Sequence, residues 1–117
     1  MAALVTKDLE VNQGAAFYQD FIWKDSTGTP VDLTGRTAHM QVRSKRPYGT
    51  VYIDLTTANG GIILGGAAGT IRIAMTGAQT EVLLKDAVYD LKIFSGTIPT
   101  RFSEGDVLVS VGATHDA

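Results

Sequence analysis

The side chains best equipped for recognition chemistry crowd into one short stretch of the chain. Arg36, His39, Gln41, Arg43, Lys45, Arg46 and Tyr48 gather cations, an amide and a phenol in a protein whose net charge is −2. Guanidinium forks and an ammonium group hydrogen-bond carboxylates, and tyrosine adds an amphipathic body that anchors contacts. Two readings stay open from the residues alone. One is a solvated strand face crowned by a charged loop; the other is a docking surface for an acidic neighbouring subunit, with Tyr48 as anchor.

Other chemistry finds no constellation. His39 and His115 are the two histidines, and neither has a His or Glu at helix or strand spacing that would build a metal site. Asp8, Glu10, Asp20, Asp25 and Asp32 do not follow a calcium-loop pattern. Gly60-Gly61-Ile62-Ile63-Leu64-Gly65-Gly66 lacks the Lys-Ser/Thr pair of a phosphate loop, so hairpin turns explain it better. No G-x-S-x-G elbow occurs, cysteine is absent, and the single Trp23 is expected to point inward. We expect no catalytic residues, no cofactor and no metal. With no aromatic ladder beside the basic residues and no strong positive charge, specific nucleic-acid binding is not expected either.

The elements that must position these residues read as short strands. Leu9 and Val11 alternate with polar neighbours, suggesting a first strand over 4–12, broken at Gln13-Gly14. An aromatic strand follows over 16–24, with Phe17, Phe21 and Trp23 on one face and Tyr18, Asp20 and Lys24 on the other. Asp25-Ser26-Thr27-Gly28-Thr29-Pro30 supplies turn chemistry. In the strand over 37–44, Ala38, Met40 and Val42 face inward, and Thr37, His39, Gln41 and Arg43 outward. The Ser44–Gly49 loop is exposed, and Val51, Ile53 and Leu55 then alternate against Tyr52 and Asp54.

Gly-rich turns bracket a short strand at Ile62-Ile63-Leu64, and Ile71, Ile73 and Met75 line the next. A helix is expected over 76–85, capped by Thr76 with Gln79 as its box partner, or in a shorter form capped by Thr80. Val82, Leu83 and Leu84 would dock it. Tyr89, Leu91 and Ile93 alternate against Asp90 and Lys92; strands over 100–104 and 105–111 finish the domain. Thr114-His115-Asp116-Ala117 reads as a frayed tail, and the first few residues as flexible.

With 117 residues, 44% hydrophobic and 19% charged, the chain fits a single soluble domain spanning 1–117. No apolar run reaches the ~20 residues of a membrane helix, and the N-terminus lacks a signal-peptide core. About eight short strands separated by turns every ~8–12 residues imply an antiparallel sandwich or barrel.

Several of these stretches together resemble small virion proteins of tailed bacteriophages. The carriers are Gln13-Gly14 before the aromatic strand, Trp23 to Gly35, and Ala38 to Arg43. Thr57 to Gly65, Gly69 to Ile73, Tyr89-Asp90-Leu91 and Glu104 to Ser110 complete the pattern across nearly the whole chain. The chain is similar to the immunoglobulin-like N-terminal domain of phage baseplate upper proteins, which anchors receptor-binding proteins to the tail. The resemblance implies an immunoglobulin-like β-sandwich and a non-enzymatic structural role in the virion, in several symmetric copies, made in the bacterial cytoplasm. Ending at Ala117 without a coiled coil or fibre, the chain is expected to serve as a tail, baseplate or tail-fibre attachment adaptor. Its partners would be other virion proteins, met through Arg36 to Tyr48 and a terminal segment such as Met1 to Lys7 added to a neighbour's sheet edge. Head decoration on the capsid is the nearest alternative, and a host-carbohydrate-binding module using Tyr18, Tyr48, Tyr52 or Phe94 is another.

Overall fold

A computed structural model describes residues 4–113. The expected frayed ends at Met1–Ala3 and Thr114–Ala117, His115 included, lie outside the described residues. Within them run β1 (Val5–Thr6), β2 (Leu9–Asn12), β3 (Phe17–Ile22), β4 (Thr37–Arg43), β5 (Val51–Thr56) and β6 (Ile62–Leu64). After them come β7 (Thr70–Met75), α1 (Gly77–Glu81), β8 (Ala87–Ser95) and β9 (Ile98–Ser110).

These strands form two layers. The large sheet has the order β1-β9-β8-β4-β5, with β2 also paired to β9; the small sheet has the order β3-β7-β6. Every pairing between these strands is antiparallel except those of β1 and β2, which run parallel to β9. Alternation works as expected on β4, β7 and β8. Ala38, Met40 and Val42, then Ile71, Ile73 and Met75, then Tyr89, Leu91 and Ile93 are buried between the sheets. Their intervening neighbours stay partly or fully in solvent, as a sheet with one wet face requires.

Two bulges break the alternation, and each re-aims an aromatic side chain. Val42 faces Ile53 and Arg43 faces Val51, which leaves Tyr52 as an extra residue on β5. The parity flip turns Val51 outward, 39% exposed rather than inward as its alternation suggested, and lets Tyr52 pack partly against the core. On β9, Leu91 faces Ser103 and Lys92 faces Arg101, leaving Phe102 unmatched. Phe102 and Ser103 are consequently both buried. The two closing strands expected from sequence are thus one continuous strand with a bulge inside it.

Phe102 then ties the layers together. Its ring meets Phe21 of β3 edge-to-face with centroids 5.6 Å apart and lies 5.5 Å from Trp23. Trp23 sits just past β3, where Lys24 and Pro30 form an isolated bridge across the turn.

The helix is shorter than the 76–85 span suggested by the sequence. Its capping box is present, with Gln79 N–H donating to Thr76 Oγ1 and Thr76 N–H to Gln79 Oε1. After Glu81 the chain leaves the helix, so only Leu83 docks in the core; Val82 and Leu84 are 51% and 72% exposed. Thr80 clips α1 to the Gln13-Gly14 break by accepting from Gly14 N–H (3.0 Å) and donating to the Ala15 carbonyl (2.9 Å).

The sequence suggests that Met1 to Lys7 is free to add a strand to a neighbour's edge; Met1–Ala3 of that segment lie outside the described residues. Val5 and Thr6 are instead paired within their own sheet, opposite Ser103 and Glu104. Between β1 and β2 the Lys7-Asp8 kink passes over Gly105, where a Cβ would collide with the Lys7 carbonyl oxygen. Gly105 lends the strand its flat spot; its role is steric.

Candidate functional site

Strand register decides which of the basic residues meet. On the outer face of the large sheet, β4 lies between β5 and β8, so His39 stands beside Lys92, Gln41 beside Asp90, and Arg43 beside Val88. On the far side of β8, Lys92 faces Arg101 and Asp90 faces Glu104. Topology therefore brings a second set of charges to the β4 face from a strand far away in sequence.

The result is a groove of about 490 Å³ lined by Gln41, Arg43, Arg46, Tyr48, Lys92 and Arg101, with Asp90 among them. Its walls are fixed by hydrogen bonds. Gln41 donates from Nε2 to Asp54 (3.2 Å) and accepts at Oε1 from Arg43 Nη2 (2.7 Å) and Nε (3.2 Å). Arg43 Nη1 donates to the Gly49 carbonyl at 2.9 Å. Arg46 reaches back from the loop to donate to the Tyr89 carbonyl at 2.9 Å.

The Ser44–Gly49 loop is exposed yet well tied. Ser44 N–H donates to the Thr50 carbonyl, Thr50 N–H to Ser44 Oγ, and Gly49 N–H to the Lys45 carbonyl, at 2.9 to 3.0 Å. Gly49 is buried, and a Cβ there would strike Ser44 and the Lys45 backbone. Tyr48, 89% exposed, thus projects from a loop whose backbone is held.

Three of the expected contact residues stand apart from the groove. His39 is on the same face but is engaged by Asp54, its Nε2 2.7 Å from Oδ1. Lys45 is exposed on the loop outside the groove lining. Arg36 lies 5.5 Å over the Trp23 ring, a cation–π contact. Asp90, Lys92 and Arg101 are the members that reasoning along the sequence missed. Alternation placed Asp90 and Lys92 outward, but nothing local says that β8 lies beside β4.

Elsewhere several polar side chains are satisfied by near neighbours. On the small sheet Arg72 forks onto Asp20 (2.8 and 3.1 Å) while its guanidinium lies 5.6 Å over Tyr18. The hydrogen bond from Arg72 holds the Asp20 carboxyl below its ordinary range. Asp25 is likewise lowered, first by the Thr27 hydroxyl and then by the backbone N–H groups of Thr29 and Thr27. The Thr34 hydroxyl and N–H do the same for Asp32. Burial pushes the Tyr89 phenol up, against the opposing hydrogen bond with Ser103. The aromatics considered for carbohydrate binding are split between the sheets: Tyr18 is on β3, while Tyr48, Tyr52 and Phe94 belong to the large sheet and its loop. Among the described residues no three His, Cys, Asp or Glu side chains gather to hold a metal ion, and no helix is long and apolar enough to cross a membrane.

No family model matches this chain, and no curated protein matches its sequence. Solved structures do match, 170 chains in all, among them a marsupial T cell receptor. That receptor is 10% identical, with a TM-score of 0.50 over 94% of this chain and 52% of its own. The chain therefore spans about half the length of the receptor chain it matches. At that identity the likeness shows the fold: an all-β, immunoglobulin-like sandwich. Antibody domains join their sheets with a disulfide packed on a tryptophan. This chain has no cysteine, and Phe102 packs against Phe21 and Trp23 across the two sheets.

Proposed function

We propose that this protein is a non-enzymatic structural subunit of a tailed-bacteriophage virion, an adaptor in the tail, baseplate or tail-fibre attachment region. Its work is subunit–subunit contact through the outer face of β4 and β8 and the Ser44–Gly49 loop. The observation that carries the contact surface is the groove itself, in which Gln41, Arg43 and Arg46 are fixed by hydrogen bonds while Tyr48 on its lining stands almost fully in solvent. Preorganised side chains lose little entropy on binding, which suits them to a permanent interface. Support for the virion comes from the turn-and-strand pattern running from Gln13 to Ser110.

A standard contact buries on the order of 1,600 Å² in total, so the sheet face around the groove takes part too. Assembly occurs in the bacterial cytoplasm, in several symmetric copies. Cryo-electron microscopy of purified particles of the encoding phage tests this reading. The expected density places the domain in the tail with a neighbour over the β4–β8 face. A particle lacking the protein, or one leaving that face in solvent, sinks it; hundreds of copies on the capsid lattice would make it a decoration protein instead.

A further inference from the structure

We propose that the groove is a receptor for an extended, acidic peptide segment of a neighbouring protein. The inference builds on the outer face being the covered one, and names the chemistry of what covers it. Its ground is a contrast in how surface cations are satisfied. On the small sheet Arg72 is neutralised bidentately by Asp20, and at the rim of the large sheet His39 meets Asp54. In the groove the guanidinium groups are held by neutral acceptors instead: Arg43 by the Gln41 amide and the Gly49 carbonyl, Arg46 by the carbonyls of Tyr89 and Gly105. The Lys92 side chain makes no hydrogen bond or ion pair with any described residue. Among the described residues, Arg101 is the one groove cation with carboxylates within 4 Å, Asp90 at 3.8 Å and Glu104 at 3.4 Å.

Neutral acceptors fix the geometry of a guanidinium without cancelling its charge, so the groove presents oriented, uncompensated positive charge. Such a site favours carboxylate, which takes charge-assisted, bidentate bonds from arginine. The register sets the reach. Arg43 pairs with Val88 and Lys92 with His39, so the two cations sit four residues apart along the strands, roughly 13 Å. An extended peptide covers that span in about four residues, with carboxylates at both ends bracketing Asp90. Asp90 within the groove and the net charge of −2 weigh against a phosphate backbone, which needs a continuous basic track.

The probe is acetylated, amidated hexaglutamate, titrated into the whole chain by isotope-edited NMR at low and at physiological salt. The expected shifts cluster on Gln41, Arg43, Arg46, Tyr48 and Lys92, and binding weakens as salt rises. Lys92→Glu, which breaks no internal side-chain bond, should weaken binding roughly tenfold, whereas Lys24→Glu, the same charge change at an exposed position beside the small sheet, should alter it less than about twofold. Equal losses in the two variants, shifts centred elsewhere, self-association through this face, or tighter binding of hexathymidylate would each overturn the proposal. The virion reading fails separately: a particle without this protein leaves the peptide result intact, and a chain that ignores hexaglutamate can still be found in the particle.

Discussion

The Tyr89 hydroxyl donates to the Lys7 carbonyl at 2.6 Å, joining a strand late in the chain to the kink between its first two strands. The same oxygen lies 2.8 Å from Ser103 Oγ, so one buried phenol closes the β1–β9–β8 corner. Tyr89→Phe removes the donor and leaves the Lys7 carbonyl without that partner. Urea unfolding should show a loss of about 1–2 kcal/mol, the cost of a buried hydrogen bond broken on one side.

Alkaline pH probes the same contact. Burial raises the Tyr89 pKa above its ordinary 10.0, so the neutral phenol is the form the fold favours. The stabilisation is complete below the unfolded pKa and declines as pH rises through the folded one, because a phenolate cannot donate to Lys7. Ultraviolet titration should show one tyrosine ionising later than the others, and Tyr89→Phe should remove that late step.

The acid limb has the opposite sign. Asp20 and Asp25 are depressed below the ordinary 3.8 by hydrogen bonds that only the folded chain supplies. Their stabilisation is present above the unfolded pKa and is lost as pH falls through the lowered folded values. Melting temperature should drop as pH falls below that range, and Asp25→Asn should flatten part of the decline. An unchanged acid profile in that variant would mean that the Asp25 turn does not contribute.

Phe102→Ala removes the ring that spans the sheets between Phe21 and Trp23. A cost of about 3–5 kcal/mol is expected from large-to-small truncation in a core. Chemical denaturation measures it, and a loss below about 1 kcal/mol would show that the sheets are held by the aliphatic layers alone.

Gly105→Ala places a methyl group against the Lys7 carbonyl. Moving the backbone aside should destabilise by roughly 1–3 kcal/mol. Because the crossing belongs to β1 and β2, amide hydrogen exchange should accelerate there before it does in β4 or β7.

Much of the core was legible because sheet alternation is a local signal. Met40, Val42, Ile71, Ile73, Leu91 and Ile93 needed only their neighbours to be assigned inward. Tyr52 and Phe102 were not legible that way, since a bulge shifts parity without a mark in either strand's own composition. Half of the groove was visible as the run from Gln41 to Tyr48. Asp90, Lys92 and Arg101 join it only through the β4–β8–β9 register, which a single sequence does not encode locally. Arg36 illustrates the converse: close in sequence to the cluster, it turns to the Trp23 ring.

The parallel seam of β1 and β2 on β9 also sets the order of events at the ribosome. Val5 is translated long before its partner Ser103. Closing so long a loop is slow, and β3 to β8 must collapse first without that seam. A nascent chain arrested before β9 should therefore leave β1 and β2 open to protease, and their protection should appear only once β9 has cleared the ribosome.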